Sequence, residues 1–189
     1  DANKMLVAKI TYDFGDRKEV VDSDEIADWI TFGDDYTFDL DEEKITEYVH
    51  QLGLKYDTFG LSRKFTTHDG QTITLKGGDY GWGINKKKTV AQLKELVLAG
   101  ETTTVEPVYL YTGVCRDTND LGSTYIEVSI AAQTMWLYKD GQCIVSTPVV
   151  TGNVSAGHST PSGSVWAIDA RMRDYTLTGQ DYNSEVSFW

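Results

Sequence analysis

Two cysteines and three histidines are the residues of this chain suited to nucleophilic or proton-transfer chemistry. A thiolate becomes a nucleophile when a histidine or a neighbouring cation stabilises it. Cys143 and His158 form one conceivable pair. Neither lies in a motif that would set a base against a nucleophile. Cys143, in Asp-Gly-Gln-Cys, reads as a strand residue packed against Trp136 and Val145, and His158 as a loop residue near a turn. Cys115 precedes Arg116, a cation that would lower its pKa, but an isolated Cys-Arg pair does not define a site. Both cysteines read as free, mostly buried thiols. No Cys or His spacing suits zinc, and His50 and His68 stand apart, on a helix and before a tight turn. Asp39-x-Asp41-Glu42-Glu43 fits a helix N-terminus, where negative charge offsets the macrodipole, and has no EF-hand spacing. No metal or organic cofactor is implied, and no catalytic residue is assigned within the chain.

The second candidate is "KGGDYGWGI", Lys76 to Ile84. Its glycines permit positive φ and close backbone approach. In an extended stretch Tyr80 and Trp82 fall on one face. They would form either a ligand platform or a tightly packed change of direction. Buried aromatics are more often core than site, so the structural reading is preferred.

The elements that must position these residues follow from pattern. Met5–Tyr12 is rich in β-formers and reads as a strand. Asp22-x-x-Glu25 is a capping box before a helix through Ile26, Trp29 and Ile30. Asp39-x-x-Glu42 caps a helix with Ile45, Tyr48, Val49 and Leu52 on one face, weakened at Gly53. Asp69-Gly70 predicts a two-residue hairpin within Arg63–Lys76. Thr89-x-x-Gln92 caps a helix that stops at Gly100. Residues 101–122 are polar and connecting, with a short strand at Val108–Tyr111. Beyond Ser123 every signal is β. Asp140-Gly141 joins two strands so that Tyr138 faces Cys143, Leu137 faces Ile144 and Trp136 faces Val145. Residues 173–189 read as two β segments around an irregular loop.

The expected fold is an α+β domain over residues 1–104, a connecting segment over 105–122, and the first half of an all-β sandwich over 123–189. The run "EVSFW" carries no polar tail, so the chain is expected to be cut inside a domain. The net charge of −12 offers no footprint for nucleic acid and would be repelled by anionic lipid. No apolar run approaches the roughly 20 residues of a membrane span. The chain starts at Asp1 without a methionine, so any signal or anchor is expected to lie outside it.

From "YIEVSI" through "MWLYKDG", "TPVVTGN" and "STPSG", and on to "RDYTLTGQDY" and "VSFW", the sequence resembles the first half of an L,D-transpeptidase catalytic domain of the YkuD type. "RKFTTHDGQTITLKGGDYGW" looks like the signature of the peptidoglycan-binding domain that often precedes it in Gram-positive bacteria. The resemblance implies an extracytoplasmic enzyme that cross-links peptidoglycan stem peptides through a diamino acid. In the family a cysteine in Ser-His-Gly-Cys attacks the amide between the third and fourth stem residues, with an earlier histidine as base. Backbone N–H groups hold the oxyanion, and an amine resolves the thioester. This sequence contains no His-Gly-Cys, so the chain is expected to be inactive alone. The excursion around residues 173–189 resembles a flap over the cleft, with Tyr182 as the substrate-facing aromatic and Leu177 as a second candidate. Two other functions fit the same residues: a non-catalytic wall-binding module, and an extracellular adhesin or structural domain. The reading frame after Trp189 would separate them from the enzyme.

Overall fold

The structure, a computed structural model, describes residues 2–33 and 37–188. Asp1 and Trp189, to which the expectations about the chain's two ends attach, lie outside the described residues. The first helix, α1, spans Ala2–Leu6 and the first strand, β1, Lys9–Asp13. The expected strand from Met5 is thus shortened. The Ala8 amide donates to the Met5 carbonyl at 3.0 Å, and this turn lets both side chains enter the core. Along β1, Ile10 and Tyr12 point inward at 0% exposure, as period-two alternation requires. β2 (Lys18–Val21) pairs with it antiparallel on one edge.

Helix α2 (Ser23–Trp29) starts at the expected capping box: Asp22 accepts from the Asp24 amide, and Glu25 accepts from the Asp22 amide. The short strands β3 (Ile30–Phe32) and β4 (Phe38–Leu40) pair antiparallel. Helix α3 (Glu42–Tyr56) is capped by Asp41, which accepts from Glu43 and Lys44, while Asp39 belongs to β4. It runs through Gly53, whose missing side chain admits Lys86 and Asp57. A hairpin follows, β5 (Arg63–Thr66) with β6 (Thr72–Leu75). Its loop is His68–Gly70, closed by Thr67 and Gln71, and so is one residue longer than Asp69-Gly70 alone suggests.

After β7 (Gly83–Ile84), helix α4 (Lys86–Ala99) is capped by Asn85 and not by Thr89. Thr89 is fully buried. Its hydroxyl donates to the Val108 carbonyl and accepts from the Val108 amide, while Gln92 donates to the Glu106 carbonyl. The apparent capping pair therefore ties the connecting segment to α4. Gly100, at φ +70, closes the helix and turns the chain into β8 (Thr102–Val105). β8 pairs parallel with β1, giving the order β2-β1-β8. Ile45, Val49, Leu93 and Val97 from α3 and α4 join Ile10, Tyr12 and Val21 in one core. Each fully buried aliphatic side chain contributes about 1.5–3 kcal/mol.

The rest of the chain is built differently. β9 (Tyr109–Tyr111) pairs with β7. A three-stranded meander follows, β10 (Tyr125–Ser129), β11 (Thr134–Lys139) and β12 (Gln142–Pro148). Asp140 and Gly141 both have positive φ, as a two-residue hairpin turn demands. Tyr138 faces Cys143 as expected, but the register then slips. Leu137 faces Val145 and Trp136 faces Ser146, with a bulge that takes up Ile144. A bulge adds one unpaired residue and increases local twist. The last hairpin is β13 (Arg173–Thr178) with β14 (Asn183–Phe188). Among the described residues, the buried aliphatic and aromatic core falls between Met5 and Val97, with Pro107 the one buried apolar side chain beyond it.

Candidate functional site

The Gly-Gly-Asp-Tyr-Gly-Trp stretch lies where the connecting segment folds back on the first unit. The Tyr80 ring is 8% exposed. Its hydroxyl donates to the Asp120 carbonyl at 2.5 Å and accepts from the Val114 amide at 2.8 Å. Burial, as the main cause, holds the phenol above its ordinary pKa, so it is a neutral donor. Trp82 is half-buried, and its indole N–H donates to the Cys115 carbonyl at 2.7 Å. Beside them Arg63 grips Asp120 through two N–H groups, at 2.7 and 2.6 Å, with side chains only 9% and 4% exposed. Thr58 donates to the same carboxylate. Arg116 lies over the rings of Phe14, Trp82 and Tyr109, at 5.0, 5.0 and 5.3 Å, and its Nε donates to the Tyr109 hydroxyl. Tyr80 and Trp82 thus fasten the connecting segment with their own polar groups engaged, while one guanidinium nitrogen of Arg116 is buried without a hydrogen bond. Sequence reading did not find Arg63, Asp120 or Arg116 in these roles, because their partners are far away in the chain.

The same stretch meets the second unit. Gly78 forms a parallel bridge with Val165, and the Val165 amide donates to the Gly77 carbonyl. Gly78 has φ +95, and a Cβ there would sit 1.7 Å from the Val165 carbonyl oxygen. Glycine is required on both counts. Lys76 donates to the Gly163 carbonyl at 2.6 Å, and the Asp79 carboxylate accepts from the Ala167 amide at 2.8 Å. From the tip of the β5–β6 hairpin, the His68 ring stacks on Trp136 with centroids 4.3 Å apart. Its Nδ1 lies 2.6 Å from the Tyr138 hydroxyl, and its backbone amide donates to Glu127 at 2.9 Å. Phe65 meets Tyr125 edge-on. His68 is therefore an inter-unit contact.

The cysteines are not assembled into a nucleophilic site. Cys143 is exposed and its thiol donates to the Val145 carbonyl; no hydrogen bond joins it to His158. Cys115 is half-buried and donates to Asp117 at 3.0 Å. That hydrogen bond, first among the causes, pushes the thiol pKa up, opposite to the lowering expected from Arg116. Arg116 is committed to its aromatic cage and leaves Cys115 to an acid. His50 contacts the Lys86 ammonium. Among the described residues no group of three His, Cys, Asp or Glu side chains is placed to hold a metal ion.

Leu177 and Tyr182 lie on the β13–β14 hairpin, away from the Tyr80–Trp82 cluster in their contacts. Leu177 is half-buried opposite Ser184. Tyr182 is 60% exposed at the loop, where its ring packs over Gly179 and its carbonyl accepts from the Gly179 amide.

Known proteins share this domain order and fold. Residues 1–106 match the family described as "Putative peptidoglycan binding domain", and residues 123–184 match the L,D-transpeptidase catalytic domain. A crystal structure of a cysteine-to-serine mutant of Enterococcus faecium L,D-transpeptidase is similar over 100% of this chain and 75% of its own, at 32% identity and a TM-score of 0.72. The chain belongs to the L,D-transpeptidase family. The Ldtfm–avibactam carbamoyl enzyme is similar at the same identity and TM-score, over 100% of this chain and 74% of its own. No curated protein sequence matches. An L,D-transpeptidase acts in peptidoglycan cross-linking, and both matched units of this one are peptidoglycan-related. Peptidoglycan is accordingly the partner, and the domains point to a cell-wall or other extracytoplasmic location.

Proposed function

We propose that the chain supplies the N-terminal part of a secreted or membrane-anchored Gram-positive L,D-transpeptidase: a peptidoglycan-binding domain over 1–104, a connecting segment over 105–122, and the first half of a catalytic β-sandwich over 123–189. The observation that carries this reading is the match of two family domains, in order, together with a structural relative at 32% identity. The sandwich is supported by the meander's exposed apolar side chains. Ile126, Val128 and Ile144 are 46%, 46% and 53% exposed, as expected of a sheet that lacks its facing layer. No helix among the described residues is long and apolar enough to cross a membrane.

The nucleophile is assigned to the quarter of the relative's length that the chain does not span, because Ser-His-Gly-Cys is absent from the 189 residues. There the cysteine thiolate attacks the stem-peptide amide between its third and fourth residues, breaking the C–N bond and releasing the fourth residue through its amino group; the amine of a neighbouring stem then displaces the thiolate from the thioester to form the new amide. Tyr182 and Leu177 are assigned to the substrate side of the hairpin, as an enclosing flap.

Mass spectrometry after incubation with a carbapenem tests the reading. The 189-residue chain should take up no adduct. The chain extended to include Ser-His-Gly-Cys should take up one, on that cysteine, more slowly with Tyr182→Ala at unchanged melting temperature. Stoichiometric acylation of Cys115 or Cys143 would overturn the assignment of the nucleophile.

A further inference from the structure

Helices α3 and α4 pack side by side and leave a trough of about 850 Å³ between them. Its floor is apolar, formed by Val90, Ala91 and Leu98, with Ala91 and Thr46 too small to fill it. Its rim carries both signs of charge. Lys86, Lys87 and Lys94 stand along α4, with Glu95 among them, and Glu42 stands across on α3. A smaller hollow continues onto α3, lined by Glu42, Glu43, Thr46 and Glu47. An acidic wall thus faces a wall with a surplus of lysines, in a chain whose net charge is −12.

These charges are only partly used in holding the helices: Lys86 contacts His50 on α3 at 2.8 Å, and the rest are engaged loosely or not at all. Lys87 makes no ion pair with any described residue. Lys94 reaches Asp39 and Glu42 only at 3.7 and 3.6 Å. The first turn of α4 carries lysines and no acidic residue, which sets positive charge against the positive end of the helix dipole. That placement does nothing for the helix. It does raise the attraction of the trough for a carboxylate.

We propose that this trough is where the N-terminal unit holds peptidoglycan, and that it grips the stem peptide and not the glycan. The inference rests on the family assignment for peptidoglycan as the partner. The choice of peptide comes from charge. A neutral sugar chain has nothing to match a rim of both signs, and a ligand of one sign is repelled by one wall. A stem peptide with a diamino acid carries carboxylates and an amine on one short backbone. Its carboxylates lie towards Lys86 and Lys87, its amine towards Glu42 and Glu47, and its aliphatic stems over Val90 and Ala91. The volume falls within the usual range of about 300–1,000 Å³ for small-ligand sites.

The test uses the 189-residue chain and a soluble disaccharide–tetrapeptide, with amide chemical shifts followed by NMR. Shifts should cluster on Thr46, Lys87, Ala91 and Glu95. The free tetrapeptide should reproduce them, and peptide-free glycan should not. Ala91→Trp, which fills the trough from an exposed position, and Lys87→Glu should each weaken binding at least tenfold with unchanged melting temperature. Shifts centred on another surface, equal binding of peptide-free glycan, no binding at all, or wild-type affinity in both variants would overturn the proposal. None of these outcomes bears on carbapenem acylation of the extended chain, so the two readings fail separately.

Discussion

Asp120 and Arg116 show what single residues do in this chain. Asp120 takes three donors from Arg63 and Thr58 while almost wholly buried. A buried charge pair of this kind is tolerated when its remaining hydrogen bonds are met, and it fixes geometry more than it adds stability. Asp16 extends the same fastening to the turn between β1 and β2. Its carboxylate accepts from both the hydroxyl and the amide of Thr118. The Thr118 hydroxyl is the main cause that lowers the Asp16 pKa from an ordinary 3.8 to about 2. A depressed folded-state pKa means that this tie is present at neutral pH and is lost as pH falls through the folded value. The Thr118 amide resonance should therefore titrate with a midpoint near 2, and the titration should vanish in Asp16→Asn. A midpoint near 4 would mean that the tie is not formed in solution.

Local chemistry was legible in the sequence wherever a single element used it. The Asp22–Glu25 capping box, the Gly100 stop and the Asp140-Gly141 turn need only neighbours in the chain, and each is found as read. Thr89 and Asp39 have the same local signature, but Thr89 holds Val108 and Asp39 sits in a strand. Tertiary partners decide such cases, and sequence pattern carries no trace of them. Tyr80 and Trp82 were legible as packing residues. What they pack against was not, since Asp120, Val114 and Cys115 are distant along the chain. The two β segments that carry Leu177 and flank Tyr182 were legible from residue pattern, and they pair as a hairpin.

The joint between the units belongs to this scale, because the β5–β6 hairpin and the Gly77–Asp79 stretch each contribute contacts to it. Gly78→Ala adds a methyl group where the Val165 carbonyl lies, at a φ that L-residues rarely adopt. The core from Met5 to Val97 does not touch this position, so the first unit should keep its fold while the joint, left to the His68 and Phe65 contacts, loosens. Small-angle scattering should report a larger radius of gyration and a broader distance distribution. A superimposable scattering curve would show that the bridge to Val165 does not hold the units together.

Across the molecule, stability is unevenly spread. Among the described residues, the buried apolar core lies in the first unit, with Pro107 just beyond it, while the apolar side chains of the meander and last hairpin are half-buried or exposed. A segment of this size with little buried surface does not offset its own conformational entropy. Residues 123–189 expressed alone should therefore show no cooperative thermal transition, whereas the 189-residue chain melts cooperatively. A sharp melting curve for the isolated piece would contradict this. The contacts from His68 and from Lys76–Asp79 then have a consequence for how the protein meets an insoluble, repetitive polymer. Two modules on a slack tether search a large volume, and the second engagement is governed by a modest effective concentration. Here the spacing between the two is set in advance by aromatic stacking and a backbone bridge. If the first module engages as proposed, the second arrives already oriented, and little translational or rotational entropy is left to lose. If both modules engage the wall as proposed, the joint would act as a ruler, favouring wall strands whose repeat matches its own length.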